Sequence, residues 1–315
     1  MQIDAARSTA APAGCLVSGG MAEGTVRVAQ LNAGSLLEPG WDERREVLVA
    51  WLDHLAPDIV CLQEVWRDGT GTDTAAWVVD HLAGDWFWRF GGDAFSPALW
   101  PDPALAFGSA ILSRWPIEAH GYWRLPVIDG VDKVVDGVPW ELLHVRTAAI
   151  DVFSTHLAPA PTHGLHRQRQ VLAIDDHVRR IRGGADDLGP IGTRRDGMPA
   201  ILCGDFNAEP DSDEIRFLCG LTALDDRTTY WVDAWREAGD GPGHTSDPAH
   251  NPLARTMNVT TKRIDYVFVG DPFQRTGGAG RVLAASLAFD ASLTGRVASD
   301  HTGLVVDVAW PDRPR

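Results

Sequence analysis

Apolar residues along this chain follow two spacings, one typical of strands and one typical of helices. Residues 25–32 (TVRVAQLN) alternate between apolar and polar side chains, and residues 58–66 (DIVCLQEVW) form a nearly continuous apolar run. Both patterns predict β-strands. Residues 41–57 between them have helical spacing and stop at a proline, which predicts a helix. Further strands are predicted at 86–92, 107–115, 119–127, 142–150, 151–158, 199–207, 263–270, 281–290 and 301–310.

Two more helices follow from the same spacing, at residues 75–83 and 165–182. In the second, four apolar residues share one face: Val171, Ile174, Val178 and Ile181. No repeat and no break in composition divides the chain. Many strands with interspersed helices therefore predict an α+β fold, with two packed mixed β-sheets covered by helices in a single domain over residues 25–311.

The first 24 residues are small and polar, which predicts a disordered tail. The 315-residue chain is 44% hydrophobic, enough for a substantial core, but it has no run long enough to cross a membrane and no secretion pattern at its start. We therefore expect a cytoplasmic monomer. The four cysteines show no paired spacing, which favours reduced thiols over a zinc cluster.

Composition also bears on the substrate. The formal net charge is -15, and a protein that grips long nucleic acid by its phosphates normally presents a basic face. The balance therefore disfavours nucleic acid without excluding it, since a local basic patch can exist within a negative total. Four tryptophans within one stretch could line a pocket or a lipid-facing rim: Trp86, Trp88, Trp100 and Trp123.

Polar residues recur where the predicted strands end or begin. They are Asn32, Glu64, His156, Asp205, Asn207, Asp265 and the pair Asp300 and His301. Each one alone is explained by a turn, a helix cap or a satisfied core histidine. Together, the oxygen donors suit a magnesium-like cation, and the two histidines titrate near neutral pH and can move protons or stabilise charge.

Seven short motifs occur in an order that resembles the endonuclease/exonuclease/phosphatase superfamily, whose fold is similar to that of pancreatic deoxyribonuclease. They are LNAGSL, LQEVW, GSAILSRWPI, STHLA, GDFNAEP, RIDYVFV and SDHTGLVVDV, and the resemblance covers nearly everything from Val26 to Val308. Each motif alone is weak, but the seven in order are specific. The resemblance implies a four-layer αββα sandwich, which agrees with the strand count.

The same resemblance implies a metal site. Asn32, Glu64 and Asp300 match the positions of the superfamily's metal ligands, with Glu64 the principal one. Mg²⁺ is the expected cofactor, and Mn²⁺ and Ca²⁺ are the alternatives.

The remaining polar positions match catalytic roles. His301 matches a histidine that acts as general base or contacts the phosphate, and Asp265 matches the carboxylate that orients it. Asp205 and Asn207 match the pair that positions the attacking water and holds a phosphate oxygen. His156 matches the histidine that assists the leaving group or the transition-state charge. The implied reaction is in-line attack of water on a phosphoester, with no covalent enzyme intermediate.

Three functions stay open at this point. His156 and the SRWPI strand look most similar to the sphingomyelinase and general phosphodiesterase branch, which implies a small-molecule or lipid-headgroup phosphodiester as substrate. A nuclease or nucleotide-trimming enzyme of the same fold is the alternative. A catalytically dead binding module is disfavoured, because no expected ligand position is substituted.

Three further residues are candidates for substrate binding. Arg167 lies on the helix that follows the His156 strand, and a plain solvated helix face is the competing interpretation. His244 and Asn251 lie in the long irregular segment before the Asp265 strand, where a turn-rich loop without a ligand is equally consistent with the sequence.

Overall fold

Two mixed six-stranded β-sheets lie face to face in the computed structural model, which describes residues 24–70, 73–96, 104–128, 130, 137–182, 196–257, 259–270, 273 and 275–314. The first sheet has the spatial order β11 (Val282–Ala288), β12 (Gly303–Ala309), β1 (Thr25–Asn32), β2 (Ile59–Arg67), β4 (Ala106–Ser113) and β3 (Phe87–Ala94). The second has the order β5 (Ile117–Arg124), β6 (Glu141–Thr147), β7 (Ile150–His156), β8 (Ile201–Asp205), β10 (Asp265–Gly270) and β9 (Trp231–Asp233). One parallel pair lies inside each sheet, β1 with β2 and β7 with β8.

Helices cover the outer faces of both sheets, as the sequence predicted. The described helices are α1 (Trp41–Leu55), α2 (Thr74–His81), α3 (Gly164–Arg182), α4 (Asp213–Leu218), α5 (Ala234–Ala238) and α6 (Pro252–Thr256), with short 3₁₀ turns at Pro161–His163 and Thr276–Gly278. Of these, α5 packs Ala234 and Trp235 into the core between the sheets. Apolar residues of α1 and α2 pack against the first sheet, and those of α3 and α4 pack against the second. The α+β sandwich fold class is therefore confirmed.

The third apolar layer lies between the two sheets. Val28 and Cys61 of the first sheet pack there with Val152, Cys203 and Val267 of the second, all of them buried. Because side chains alternate across a strand, the intervening residues of the same strands face the helices instead. Cys61 and Cys203 are free thiols in this core, as their apolar surroundings in the sequence indicated.

The shortest elements escaped sequence prediction. β9 has three residues, and α5 and α6 have five residues each, too few to show a period. The predicted tail, apart from Gly24, lies outside the described residues. No helix among the described residues has the length and apolar character needed to cross a bilayer.

Candidate active site

Both sheets contribute polar side chains to one edge of the sandwich. β1, β2, β7 and β8 end at this edge, and β10 and β12 begin there. The structure brings together all eight residues that the sequence singled out as metal ligands or catalytic groups, four associated with each sheet. They are Asn32, Glu64, Asp300 and His301 of the first sheet or the segment leading into it, and His156, Asp205, Asn207 and Asp265 of the second.

A β-bulge near the end of β2 turns Glu64 out of the strand ladder. The pairing with β4 shifts register between Leu62 and Val65, and Glu64 has a positive φ of 53°. Asn32, at the end of the neighbouring strand, donates from Nδ2 to Glu64 Oε1 and to Asp205 Oδ2, at 3.0 Å each. One amide therefore connects the two sheets at the centre of the site.

The strand register of the second sheet places three site residues side by side on neighbouring strands. His156 of β7 pairs with Asp205 of β8, and Asp205 pairs with Asp265 of β10. Asn207, with a φ of 49°, donates its backbone N–H to Asp205 Oδ1 over 2.9 Å. Its Nδ2 lies 3.0 Å from the carbonyl of Leu157 and 3.1 Å from His156 Nε2. Because the carbonyl can only accept, the side-chain atom of Asn207 at this position is the amide nitrogen. An amide nitrogen only donates, so it is also the donor to His156 Nε2.

Asp265 and His301 form a hydrogen-bonded dyad. Asp265 Oδ2 lies 2.8 Å from His301 Nδ1, and the Asp265 side chain is fully buried. Burial opposes a charged imidazole, but the carboxylates of Asp265, Asp300 and Asp205 outweigh it and raise the pKa of His301 well above its usual range. His301 is therefore an imidazolium at neutral pH, and its Nε2 lies 3.8 Å from Asp205 Oδ2.

Burial shifts the pKa values of the other groups, upwards for the carboxyl groups and downwards for His156. Burial and the nearby charge of Asp265 raise the pKa of Asp205 to about 7. Burial and Asp300 raise the pKa of Glu64 to about 7, although the bond from Asn32 acts in the opposite direction. Burial and the charged His301 lower the pKa of His156 to about 3, so this ring is neutral. The site thus combines one cationic histidine, one neutral histidine and carboxyl groups that titrate near neutrality.

A carboxylate that the sequence did not single out stands beside the predicted metal ligands. Glu38 Oε2 is buried and has no hydrogen-bond donor among the described residues. It fills the space where a side chain on Gly34 would begin, and that point is 3.2 Å from Asp300 Oδ1. Burial, together with Glu64 and Asp300, raises the pKa of Glu38 to about 9. The carboxyl groups of Glu38, Glu64 and Asp300, one of which has an oxygen without a donor, fit a hard divalent cation, because such a cation would offset their mutual repulsion.

Asp205, Asp265 and His301 also offer three ligand atoms within 4.8 Å of one another. Two of those residues already bond each other in the dyad, which leaves fewer of their ligand atoms available to a metal ion.

A cavity of about 400 Å³ opens over these residues. Its polar floor consists of Glu64, His156, Asp205, Asn207 and His301, and its apolar wall consists of Leu37, Phe95, Phe107, Val138, Trp140 and Pro159. The wall touches the floor, because the Trp140 and His156 rings meet edge to face with centroids 5.2 Å apart. No lysine or arginine is among the described residues that line the cavity.

Three of the four tryptophans suggested for a pocket or rim are described, and none of the three lines this cavity, although Trp86 and Trp88 line another one. Trp86 and Trp88 pack on the helix-covered face of the first sheet, and Trp123 stacks on His177 of α3. Trp100 lies outside the described residues. Trp140, just before β6, is the tryptophan of the described cavity wall, and it stood outside the stretch that the sequence pattern emphasised.

The three candidate substrate-binding residues are not among the cavity-lining residues that the structure describes. Arg167 is buried, with Nε 2.6 Å from Glu214 Oε1 and Nη1 bonded to the backbone carbonyls of Ala158 and Ala160, so it secures α3 instead of facing substrate. Asn251 caps α6 and donates to the carbonyls of Ser299 and Asp300, which holds the segment of the predicted metal ligand Asp300. His244 is half-buried in the same long segment.

Comparison with solved structures shows the same fold in several proteins. An endonuclease/exonuclease/phosphatase from Beutenbergia cavernae DSM 12333 has a TM-score of 0.63 and 23% identity, over 91% of this chain and 72% of that one. The human Nocturnin catalytic domain with bound sulfate gives 0.62 and 21%, over 91% and 93%. D. rerio TDP2 complexed with a single-strand DNA product gives 0.63 and 18%, over 91% and 99%.

Sequence comparison gives the family assignment. Comparison with curated proteins finds no match. The pattern of the Endonuclease/Exonuclease/phosphatase family matches residues 29–301, which include all eight residues at the edge of the sandwich. Members of this family hydrolyse phosphoester bonds, commonly with divalent metals. This chain therefore belongs to the Endonuclease/Exonuclease/phosphatase family.

Proposed function

We propose that this protein hydrolyses a compact phosphodiester that carries an apolar group, either a small molecule or a lipid headgroup ester, with the help of a divalent cation. The observation that carries the proposal is the direct contact between the apolar cavity wall and the acidic and histidine floor. A phosphate held on that floor would place its ester substituent against Phe107 and Trp140. The absence of lysine and arginine from the described lining disfavours a long polyanion.

Asn32, Glu64 and Asp300 would hold the cation, with Mg²⁺ preferred and Mn²⁺ or Ca²⁺ as alternatives. A cation bound there would supply positive charge to the non-bridging phosphate oxygens. Glu38 adds negative charge beside these ligands, through an oxygen that lacks a hydrogen-bond donor among the described residues.

In this proposal the protein's own groups divide the proton chemistry. Asp205, with a pKa of about 7, takes a proton from the attacking water. The imidazolium of His301, held by Asp265, binds a phosphate oxygen and stabilises the charge that grows there. Asn207 Nδ2 donates to the Leu157 carbonyl and to neutral His156 Nε2, and it would give up the bond to His156 to donate to that oxygen instead.

A nuclease or nucleotide-trimming activity is the second candidate, and the similarity to D. rerio TDP2 complexed with a single-strand DNA product favours it. Parallel hydrolysis assays distinguish the two candidate functions. Hydrolysis of bis-p-nitrophenyl phosphate, sphingomyelin, single-stranded oligonucleotides and supercoiled plasmid would be measured with Mg²⁺ at physiological salt. Faster cleavage of the aryl or lipid diester supports the proposal. Comparable cleavage of DNA, with a steep loss of rate as salt rises, would favour the nuclease.

A further inference from the structure

A chain of buried polar side chains crosses the apolar core directly beneath the site. Gln30 Nε2 donates to Asp265 Oδ1 over 3.1 Å and to Gln63 Oε1 over 2.8 Å. Gln63 Nε2 in turn donates to Ser154 Oγ over 3.0 Å. Gln30 and Gln63 belong to the first sheet, whereas Ser154 and Asp265 belong to the second, so the chain joins the sheets twice.

Each member of this chain stands next to a site residue on its own strand. Gln30 precedes Asn32 by two positions on β1, Gln63 immediately precedes Glu64 on β2, and Ser154 precedes His156 by two positions on β7. The fourth member is Asp265 itself. All four side chains are fully buried.

Packing alone does not account for amides at these positions. Gln30 Oε1 is buried without a hydrogen-bond donor among the described residues, which costs stability. An apolar side chain of similar length would avoid that cost. Hydrogen bonds have directions that apolar contacts lack, so this chain fixes how the four strands stand relative to one another.

We propose that Gln30 is a positioning residue of the active site, acting through Asp265. Asp265 has two carboxylate oxygens, and Gln30 engages Oδ1 while Oδ2 faces His301 Nδ1. The donor on Oδ1 prevents the carboxylate from rotating about its Cβ–Cγ bond, which keeps Oδ2 aimed at the imidazole. Gln63 and Ser154 extend this restraint to the strands of Glu64 and His156. This role rests on the proposed function, in which His301 binds the phosphate.

The test is Gln30→Met, alone and combined with Asp265→Asn, in steady-state hydrolysis of bis-p-nitrophenyl phosphate with Mg²⁺. A displacement of about 1 Å at a catalytic group costs up to roughly 100-fold in rate, so we expect kcat to fall by about 10- to 100-fold with KM nearly unchanged. In the Asp265→Asn background the same substitution should add almost nothing, because the group it orients is already disabled. Equal losses in both backgrounds, or an unchanged kcat, would overturn the proposal.

A second readout does not depend on activity. In ¹⁵N-histidine-labelled protein, the bond to Asp265 should shift the His301 Nδ1–H proton downfield, and Gln30→Met should move that resonance upfield or broaden it. An unmoved resonance would contradict the positioning role, even if the wild-type protein cleaved none of the substrates tried. A wild-type protein that cleaves none of the substrates would count only against the proposed function.

The chain offers a matched control. Ser113 Oγ and Thr147 Oγ1 form another buried hydrogen bond between the sheets, 2.8 Å long, at the opposite end of the strands. Ser113→Ala should lower the melting temperature but leave kcat unchanged. If Gln30→Met does not fold, Ser154→Ala removes the far end of the chain instead, and we expect it to lower kcat several-fold. An unchanged kcat in that variant would refute the proposal.

Discussion

Asp265 and His301 are 36 positions apart in sequence, yet 2.8 Å separates Asp265 Oδ2 from His301 Nδ1. The pair couples a strand start in one sheet to the segment entering the other sheet. Asp265 has no exposed surface, so its charge acts on the imidazole with little screening by solvent.

This pair should behave as one catalytic unit. Asp265→Asn and His301→Ala should each lower kcat/KM by roughly 100- to 10,000-fold, since both remove the oriented imidazolium. The double variant should be little worse than either single one. Steady-state kinetics on an aryl phosphodiester measures all three. Losses that multiply would show that the two residues act independently.

Activity should depend on a divalent cation held by Glu64. Glu64→Gln preserves the size of the side chain and its bond from Asn32 but removes the negative charge, so we expect weaker Mg²⁺ binding and a loss of activity of roughly 100-fold or more. Isothermal titration with Mg²⁺ and Mn²⁺ reports the binding, and circular dichroism checks the fold. Full turnover in excess EDTA, or wild-type affinity in the variant, would refute the assignment.

Trp140 should select for apolar substituents on the substrate. Trp140→Ala removes the ring that lies against His156 and widens the cavity. We expect KM for an aryl or lipid phosphodiester to rise roughly tenfold, equivalent to about 1.4 kcal/mol of binding. Trp123→Ala is the matched control, because the Trp123 ring stacks on His177 of α3 and does not line the cavity. An equal rise in KM in both variants would argue against selection at this wall.

Glu141 should make stability fall as pH rises. It is fully buried, Ser109 donates to its Oε1, and its Oε2 has no donor among the described residues. Burial raises its pKa from 4.5 to about 8. The folded state therefore keeps a proton that the unfolded state releases, and this contribution is fully present below pH 4.5 and lost as the pH rises towards 8.

Comparing Glu141→Gln with wild type isolates this effect, because other titrating groups act in both proteins. The difference in unfolding free energy should change in favour of the variant by about 1.4 kcal/mol per pH unit within that window. Urea titrations at pH 5, 6.5 and 8 measure it. A difference that stays constant with pH would show that Glu141 keeps an ordinary pKa.

Strand periodicity predicted most of the fold and the edge where the eight polar residues meet. It located Asn32 and Glu64 because each lies at or near the end of a clearly patterned strand. It did not predict the partner of Arg167, because Glu214 lies 47 positions away and only folding brings the two together. A signal for burial was nevertheless present: Arg167 continues the apolar stripe of Val171 and Ile174 one turn earlier.

The cavity wall was harder to predict for a related reason. Phe95, Phe107 and Trp140 come from three separate segments, and an aromatic residue in sequence carries no mark of which face it will occupy. Glu38 and Glu141 were missed because a carboxylate is ordinarily exposed, and their burial depends on contacts with residues remote in the chain.

The even division of the site between the two sheets has a consequence for how activity arises during folding. A partly folded chain with only one sheet formed would hold either the proposed cation ligands and His301, or Asp205 and Asp265, but not both sets. Catalysis should therefore return only at the step that closes the sandwich, later than the strand signal seen by circular dichroism. Recovered turnover would then time the docking of the sheets in a refolding experiment.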